Sequence, residues 1–287
     1  MNVADARDEQ EPVERLGLEP ISVFGMPPVP YIELAADLGL RYIAIMLTAM
    51  PNSYGYPPFS LRDDRELRRQ TLAALHERGV SIALGEGMVV REDTDLGELA
   101  TDIAVMGELG ARRVNTMSFD PDRNRTIDRF GAVAELAAAA GMETTFEFGP
   151  TKPVGRTLSE GVEIIRAVGR EDFRLLIDTM HLVRSGSGAE DVAALDPELI
   201  GHVQLADAPL VPTIPDYMEE ACFERMVPGT GELPLVDILA ALPSEVVIGL
   251  EVPLRSQADR GIGPHERLGR CVDSARALLA LSDQARA

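Results

Sequence analysis

The sequence predicts a single-domain α/β protein with the (β/α)8 architecture, known as the TIM barrel. Short runs rich in Val, Ile, Leu, Thr and Phe alternate with amphipathic segments, and there are eight runs of each kind. Such alternation requires parallel strands joined by right-handed crossovers, and eight units fit a chain of 287 residues. The turn after the first predicted strand reads Gly25-Met26-Pro27-Pro28. It lacks the Gly-rich phosphate pattern of an open doubly wound sheet, so the closed barrel is favoured.

The strands follow one another at regular intervals and have the apolar composition of strands buried on both faces. They are predicted at Ile21–Gly25, Tyr42–Met46, Ser81–Gly85, Arg113–Met117, Thr144–Phe148, Arg174–Asp178, Gly201–Leu205 and Val246–Glu251. Apolar residues at helical spacing lie between them, as in Leu96, Leu99, Ile103 and Met106. Several of these helices end at a glycine suited to a left-handed cap, namely Gly39, Gly79, Gly110, Gly141 and Gly169.

The chain divides into a polar N-terminal segment, residues 1–18, which we expect to be mobile, and a barrel over residues 19–282. Two connections, Leu47–Leu61 and Ala208–Leu233, are longer than most loops of this fold. Because each follows a strand, both are expected at the C-terminal rim of the barrel, where the active sites of such barrels are built.

Composition limits the partners. Lys and Arg number 27 against 47 Asp and Glu, a net charge of −20 that repels phosphate backbones and anionic lipid. We therefore expect a small-molecule partner of carbohydrate type and neither nucleic acid nor membrane, while a homo-oligomer is left open. Two cysteines exclude a disulfide scaffold. Residues 1–16 show no apolar signal region, and no apolar run reaches membrane-spanning length, so a cytoplasmic protein is expected.

Four polar side chains come at the ends of consecutive predicted strands, and the barrel would bring them together. These are Glu147, Asp178, Gln204 and Glu251. No Lys lies on these strands, and Arg184 and Arg225 belong to loops, so the carboxylates are expected to lack a nearby cation. Uncompensated buried carboxylates cost several kcal/mol each, which a divalent metal would relieve. Oxygen donors alone favour Mg²⁺ or Mn²⁺.

His202 stands two residues before Gln204, so strand alternation places both on one face. Gln204 is nearer the C-terminal end and is the preferred ligand, whereas His202 is interpreted as a core histidine. If His202 reached the ion instead, softer metals would return as candidates. Taken singly, each of the strand-end residues is more often a helix cap or a loop anchor than a ligand.

Five motifs, taken together, resemble the xylose-isomerase-like sugar (phosphate) isomerase/epimerase family. They are Phe146-Glu147-Phe148-Gly149-Pro150, Ile177-Asp178-Thr179-Met180-His181, His202-Val203-Gln204-Leu205-Ala206-Asp207, Pro228-Gly229-Thr230-Gly231-Glu232 and Leu250-Glu251-Val252-Pro253. The third and fourth are most similar to the hydroxypyruvate isomerase branch. The resemblance covers the chain from about Ile21 to Leu281.

The resemblance implies a role for each matching residue. Glu147 and Glu251 would bind the metal and act as the acid/base pair, and Asp178 would be a third ligand. His181 and Arg225 would contact the substrate, as would Glu86 at the end of the third strand. Gln204 occupies a ligand position that most epimerases of the family fill with His, a departure that fits the hydroxypyruvate isomerase branch.

These residues predict an enzyme of carbohydrate metabolism that moves a proton next to a carbonyl group through an enediolate. Return of the proton to the same carbon gives epimerisation, and return to the neighbouring carbon gives isomerisation. We therefore predict a metal-dependent isomerase or epimerase of a small keto-sugar or hydroxycarbonyl compound. Loss of a β-hydroxyl group, as in a dehydratase of a keto-polyol, is the alternative.

Two further classes are weaker on this sequence. An abasic-site endonuclease on the same barrel would need more histidines than the four present. It would also need a basic surface, which is inconsistent with a net charge of −20. A non-catalytic binding barrel is disfavoured because both acid/base glutamates are present.

Overall fold

The computed structural model of the chain describes residues 14–50 and 55–286. Within them, eight parallel strands close into a barrel in chain order, which confirms the predicted fold class. The strands are β1 (Leu16–Leu18), β2 (Tyr42–Met46), β3 (Ser81–Val90), β4 (Arg113–Ser118), β5 (Glu143–Glu147), β6 (Phe173–Asp178), β7 (Ile200–Leu205) and β8 (Ile248–Leu250).

Helices surround the barrel and bury their apolar faces against it. In the described residues they are α1 (Pro28–Asp37), α2 (Arg65–Arg78), α3 (Leu96–Glu108), α4 (Arg123–Ala139), α5 (Leu158–Val168), α6 (Thr179–Arg184), α7 (Ala189–Ala193), α8 (Tyr217–Phe223), α9 (Leu235–Ala241), α10 (Arg255–Asp259) and α11 (Pro264–Arg286). The five glycines predicted to end helices all adopt the left-handed backbone. No helix in the described ranges is both long and apolar enough to cross a bilayer.

The first strand is not where the sequence placed it. The prediction of a strand at Ile21–Gly25 was wrong, because Pro20–Val23 forms a 3-10 turn and Phe24 after it has a φ of 52°. The short run Leu16–Leu18 is buried instead and closes the barrel between β2 and β8. The barrel therefore begins before the predicted boundary at residue 19. Residues 1–13 of the segment predicted to be mobile lie outside the described residues.

The other strands lie close to their predicted positions. The largest difference is in β3, which continues to Val90, and its pairing with β4 is irregular between Gly85 and Met88. Glu86 therefore lies within an irregular stretch of β3 and not at its end. Such an irregularity re-aims a side chain, and here Glu86 faces the cavity described below.

Both long connections leave the C-terminal ends of their strands, as predicted. The connection Leu47–Leu61 is closed by an antiparallel bridge between Thr48 and Ser60, and residues 51–54 within it lie outside the described residues. The connection Ala208–Leu233 contains α8 and is tied to the end of β7 by a bridge between Asp207 and Met226.

Candidate active site

A cavity of about 250 Å³ opens at the carboxyl ends of the strands. Its polar lining includes Glu86, Glu147, Lys152, His181, Arg225 and Glu251. Its apolar lining includes Met46, Val89, Met117, Phe119 and Met218. Five of the seven predicted site residues thus share one cavity. The other two lie directly behind it, Asp178 bonded to Arg225 and Gln204 bonded to Glu86.

Glu147 ends β5 and is held at both carboxylate oxygens. The ring Nε2 of His181 lies 3.1 Å from Oε1, and Nδ2 of Asn115 donates to Oε2 at 3.3 Å. Burial alone would raise the pKa of Glu147, but the charge of Lys152 and the bond from His181 outweigh it and lower that pKa to about 2. Glu147 is therefore ionised at neutral pH and able to accept a proton.

His181 is fixed from three sides. Its backbone N–H donates to Oδ1 of Asp178 at 2.8 Å, which caps the first turn of α6. The hydroxyl of Tyr217 lies 2.6 Å from the ring Nδ1. Burial, and next the charge of Asp178, raise the pKa of Tyr217, so the hydroxyl keeps its proton and donates. This leaves Nε2–H as the ring donor to Glu147.

Arg225 contacts the carboxyl groups of two predicted metal ligands. Its Nη1 donates to Oδ2 of Asp178 at 2.5 Å, and its Nη2 lies 2.8 Å from Oε2 of Glu251. Nε donates to the carbonyl of Ala221 at 2.7 Å, and the backbone N–H donates to the carbonyl of Pro253. The expectation that these carboxylates lack a nearby cation was therefore wrong, because the long connection folds Arg225 back into the barrel mouth.

The pKa values of Asp178 and Glu251, two neighbouring buried acids, move in opposite directions. Burial, followed by the charge of Asp178, raises the pKa of Glu251 well above its usual range, although Arg225 opposes the shift. Burial would also raise the pKa of Asp178, but Arg225 outweighs it and the pKa is lowered. The two carboxyl groups are hydrogen-bonded to each other. Glu251 therefore carries the proton, in contrast to Glu147 across the cavity.

The arginine-bearing connection is held in place by Asp207. Its carboxylate accepts the backbone N–H groups of Gly229, Gly231 and Leu233 at 2.8–3.1 Å. A Cβ on Gly231 would lie 2.3 Å from Oδ1 of Asp207, so only glycine permits this approach. The Pro-Gly-Thr-Gly motif thus fixes the segment that carries Arg225 to the end of β7 through backbone hydrogen bonds to Asp207.

A buried polar network lies beneath the cavity. Glu19, which follows β1, is fully buried, and its Oε1 lies 2.9 Å from Nε2 of His202. The amide of Gln204 donates to Glu86 at 3.2 Å and to Glu19 at 3.4 Å. Burial, then the neighbouring Glu19 and Glu147, raise the pKa of Glu86 to about 8. His202 is a core histidine, as predicted, and makes its contact away from the cavity.

The oxygen atoms fit a divalent cation, although no such cluster is preformed. Among residues 14–50 and 55–286, no group of three or more His, Cys, Asp or Glu side chains is arranged to hold a metal. The four predicted ligands nonetheless offer the oxygen donors that a hard cation takes. Oε1 of Gln204 is buried without a hydrogen-bond partner, and a bound cation would satisfy it. The ligand roles of Glu147, Asp178, Gln204 and Glu251 stay predictions.

Sequence reasoning missed Glu19, Asn115, Tyr217 and Lys152 as members of the site. Glu19 was missed because the first strand was misplaced, and Asn115 because it lies within a strand. Lys152 could have been singled out from the sequence, because it is the single lysine in a chain whose Lys and Arg total 27.

Barrel and cavity together define a (β/α)8 protein with a cavity lined by ionisable side chains at the C-terminal ends of its strands. The chain belongs to the xylose isomerase-like TIM barrel family, whose profile matches residues 32–275. The resemblance seen in the sequence motifs is thereby confirmed at the level of the family.

A curated relative is the 3-dehydroshikimate dehydratase of Pseudomonas aeruginosa, 26% identical over 255 residues. The match covers 88% of this chain, and the chain spans 35% of the length of that protein. Among solved structures, a xylose isomerase domain protein from Alicyclobacillus acidocaldarius is 23% identical with a TM-score of 0.72, covering 94% of this chain and 99% of that one.

Two further structures show the same fold. The IolI protein, solved with a bound zinc atom, has a TM-score of 0.78 at 17% identity, with 93% of this chain and 98% of that one covered. D-Psicose 3-epimerase from Clostridium cellulolyticum, solved with D-tagatose, has a TM-score of 0.67 at 16% identity, covering 95% and 99%. The proteins to which this chain is similar thus include an epimerase with the same fold and a dehydratase.

Proposed function

We propose that this chain is an isomerase or epimerase that moves a proton next to the carbonyl group of a small hydroxycarbonyl compound. The observation that carries the proposal is the placement of Glu147 and Glu251, which face one cavity from β5 and from the end of β8. Two carboxyl groups on different sides of a bound substrate can remove a proton and return one.

Each side chain has a role in this chemistry. Glu147 removes the proton and Glu251 returns one. Arg225 uses part of its guanidinium on Asp178 and Glu251, and its remaining N–H groups stabilise the oxygen on which negative charge develops. His181 is oriented by Tyr217 and positions Glu147 through Nε2.

A divalent cation is part of the proposal. Glu147, Asp178, Gln204 and Glu251 would hold it, and their oxygen atoms favour Mg²⁺ or Mn²⁺. The zinc of the IolI protein supports a divalent ion on this fold without deciding which one. When bound, such an ion polarises the substrate carbonyl and makes the neighbouring C–H more acidic.

Dehydration is the second candidate, favoured by the dehydratase from Pseudomonas aeruginosa. A dehydratase would use the same residues. Glu147 would remove the same proton, and the β-hydroxyl group would then leave as water with a proton from Glu251. The likeness of two motifs to hydroxypyruvate isomerase favours the first candidate and stays a prediction.

Proton exchange tests the proposal. The protein with Mg²⁺ or Mn²⁺ would be incubated in D₂O with D-allulose, D-tagatose, D-fructose, hydroxypyruvate and 3-dehydroshikimate, followed by NMR and mass spectrometry. Deuterium beside the carbonyl, with an isomer as product, supports the isomerase or epimerase. A product lighter by one water supports the dehydratase. If no compound exchanges a proton or is converted, the proposal is overturned.

A chelated sample is the control for the cation. Exchange should fall after treatment with EDTA and return when Mg²⁺ or Mn²⁺ is added. Exchange that is equally fast in the chelated sample, with the absence of metal verified by elemental analysis, would contradict the role given to the ion.

A further inference from the structure

Lys152 is a buried cation in the cavity to which the proposed reaction gives no contact with the substrate, although its charge lowers the pKa of Glu147. It is the single lysine of the 287 residues. It lies in the turn after β5, where its backbone N–H donates to the carbonyl of Gly149 at 3.0 Å. The residue is 6% exposed and lines the cavity.

The ammonium group of Lys152 has only weak partners. Nζ lies 2.9 Å from Sδ of Met117 and 4.8 Å from the ring centroid of Phe119. A thioether is a weak acceptor and an aromatic face provides no lone pair, whereas an ammonium carries three N–H donors. In the described part of the chain Lys152 forms no salt bridge. It acts on Glu147 and Glu86 only through its charge.

Arg225 provides the contrast within the same cavity. It is equally buried, but its guanidinium is engaged by Asp178, Glu251 and the carbonyl of Ala221. Burying a charged amine without a strong acceptor is costly, so such groups are usually paired. Lys152 therefore retains donor capacity aimed into a space that a ligand would fill.

We propose that Lys152 binds a carboxylate carried by the substrate. The substrate is then a hydroxycarbonyl acid whose carboxylate lies beside Met117 and Phe119, while its carbonyl and hydroxyl oxygens face Glu147 and Arg225. This inference rests on the proposed function, because it names the class of compound that the same site takes. The apolar lining around Lys152 strengthens the attraction by excluding water.

A carboxylate fits this position better than a phosphate. The polar side of the cavity already contains the ionised Glu147, which repels a group carrying two negative charges more strongly than a group carrying one. Phosphate sites usually combine several Arg, Lys or backbone N–H donors, whereas one ammonium matches one carboxylate.

Matched ligands measure the effect of the charge on binding. Calorimetry with Mg²⁺ present would compare 3-dehydroshikimate with its neutral methyl ester, and D-fructose 6-phosphate with D-fructose. Lys152→Met removes the charge at similar length, and Lys152→Arg retains it. Arg166→Met, at the far end of α5 and exposed, makes the same change in net charge away from the cavity.

The acid should bind to the wild-type chain about tenfold to a hundredfold more tightly than its ester, and Lys152→Met should remove that difference. Lys152→Arg should keep most of it, and Arg166→Met all of it. An equal loss for acid and ester in Lys152→Met would show a structural role and overturn the proposal. Lys152-dependent binding confined to the sugar phosphate would overturn the assignment of a carboxylate.

Because the chain has a single lysine, an independent measurement needs no variant. Protein grown with ¹³C-lysine gives one Cε signal, which should shift on addition of the acid and stay unchanged with the ester. An unchanged signal at saturating acid overturns the proposal.

Both measurements report binding and not turnover. Charge-dependent binding without proton exchange would therefore support the carboxylate site and refute the proposed reaction. Proton exchange without charge-dependent binding would support the proposed reaction and refute the carboxylate site.

Discussion

The guanidinium of Arg225 lies between Asp178 and Glu251 and bonds both carboxyl groups, at 2.5 and 2.8 Å. Removing it leaves two buried acids beside each other, so we predict that Arg225→Met lowers the free energy of unfolding by about 3–5 kcal/mol. Urea unfolding at pH 7 measures this. Combining Arg225→Met with Asp178→Asn should cost less than the sum of the single changes. An additive result would show that the contact is not energetically coupled.

Tyr217 determines which nitrogen of His181 carries the proton. We predict that Tyr217→Phe lowers kcat about tenfold with little change in KM, because Nε2–H is no longer favoured as donor to Glu147. ¹⁵N NMR of the imidazole, assigned with a His181→Asn variant, should show the Nε2–H form in the wild type and a mixture in Tyr217→Phe. Identical ring signals in the two proteins would refute this role.

The pKa of Glu86, raised to about 8 from 4.5, makes folding stability depend on pH. The native state holds this proton more tightly than the unfolded chain, so the contribution is complete below pH 4.5 and is lost as pH rises to about 8. The loss is up to about 1.4 kcal/mol per pH unit.

Glu86→Gln cannot titrate, so its unfolding free energy should fall less steeply than that of the wild type between pH 5 and 8. The difference between the two slopes, from urea unfolding at several pH values, isolates Glu86 from Glu251, whose pKa is also raised. Parallel curves would contradict the shifted pKa of Glu86.

Two glycines should respond in opposite directions to the same substitution. A Cβ on Gly249 would lie 1.7 Å from Oε1 of Glu19, so Gly249→Ala forces that carboxylate away from His202 and should cost about 1–3 kcal/mol. A Cβ on Gly131, within α4, meets nothing within 4 Å, so Gly131→Ala should stabilise by about 0.5–1 kcal/mol. Thermal unfolding of both variants measures this, and a destabilised Gly131→Ala with a neutral Gly249→Ala would refute the packing described.

The regular succession of strands was enough to predict the barrel, because buried strands are recognisable by their apolar, β-rich composition. The exception was β1, since the three residues Leu16–Leu18 are too short for that signal and the β-rich run after Pro20 forms a turn instead. The misplaced strand concealed Glu19, whose contact with His202 joins residues 183 positions apart in the chain.

The site was predictable where its residues end strands and was missed where a loop folds back. Glu147 and Glu251 could be placed in the cavity from strand position alone. The pairing of Arg225 with Asp178 could not, because it depends on how the connection Ala208–Leu233 closes, which Asp207 determines through backbone contacts. Strand position also gives no sign of which carboxyl group keeps a proton.

The most direct test of the central claim is solvent deuterium exchange by Glu147→Gln and Glu251→Gln, each verified to be folded and measured on the best substrate of the wild type. We predict that both variants lose exchange or product formation by about 10²–10⁴-fold, since each removes one partner of the acid/base pair. Wild-type rates in both variants would contradict it.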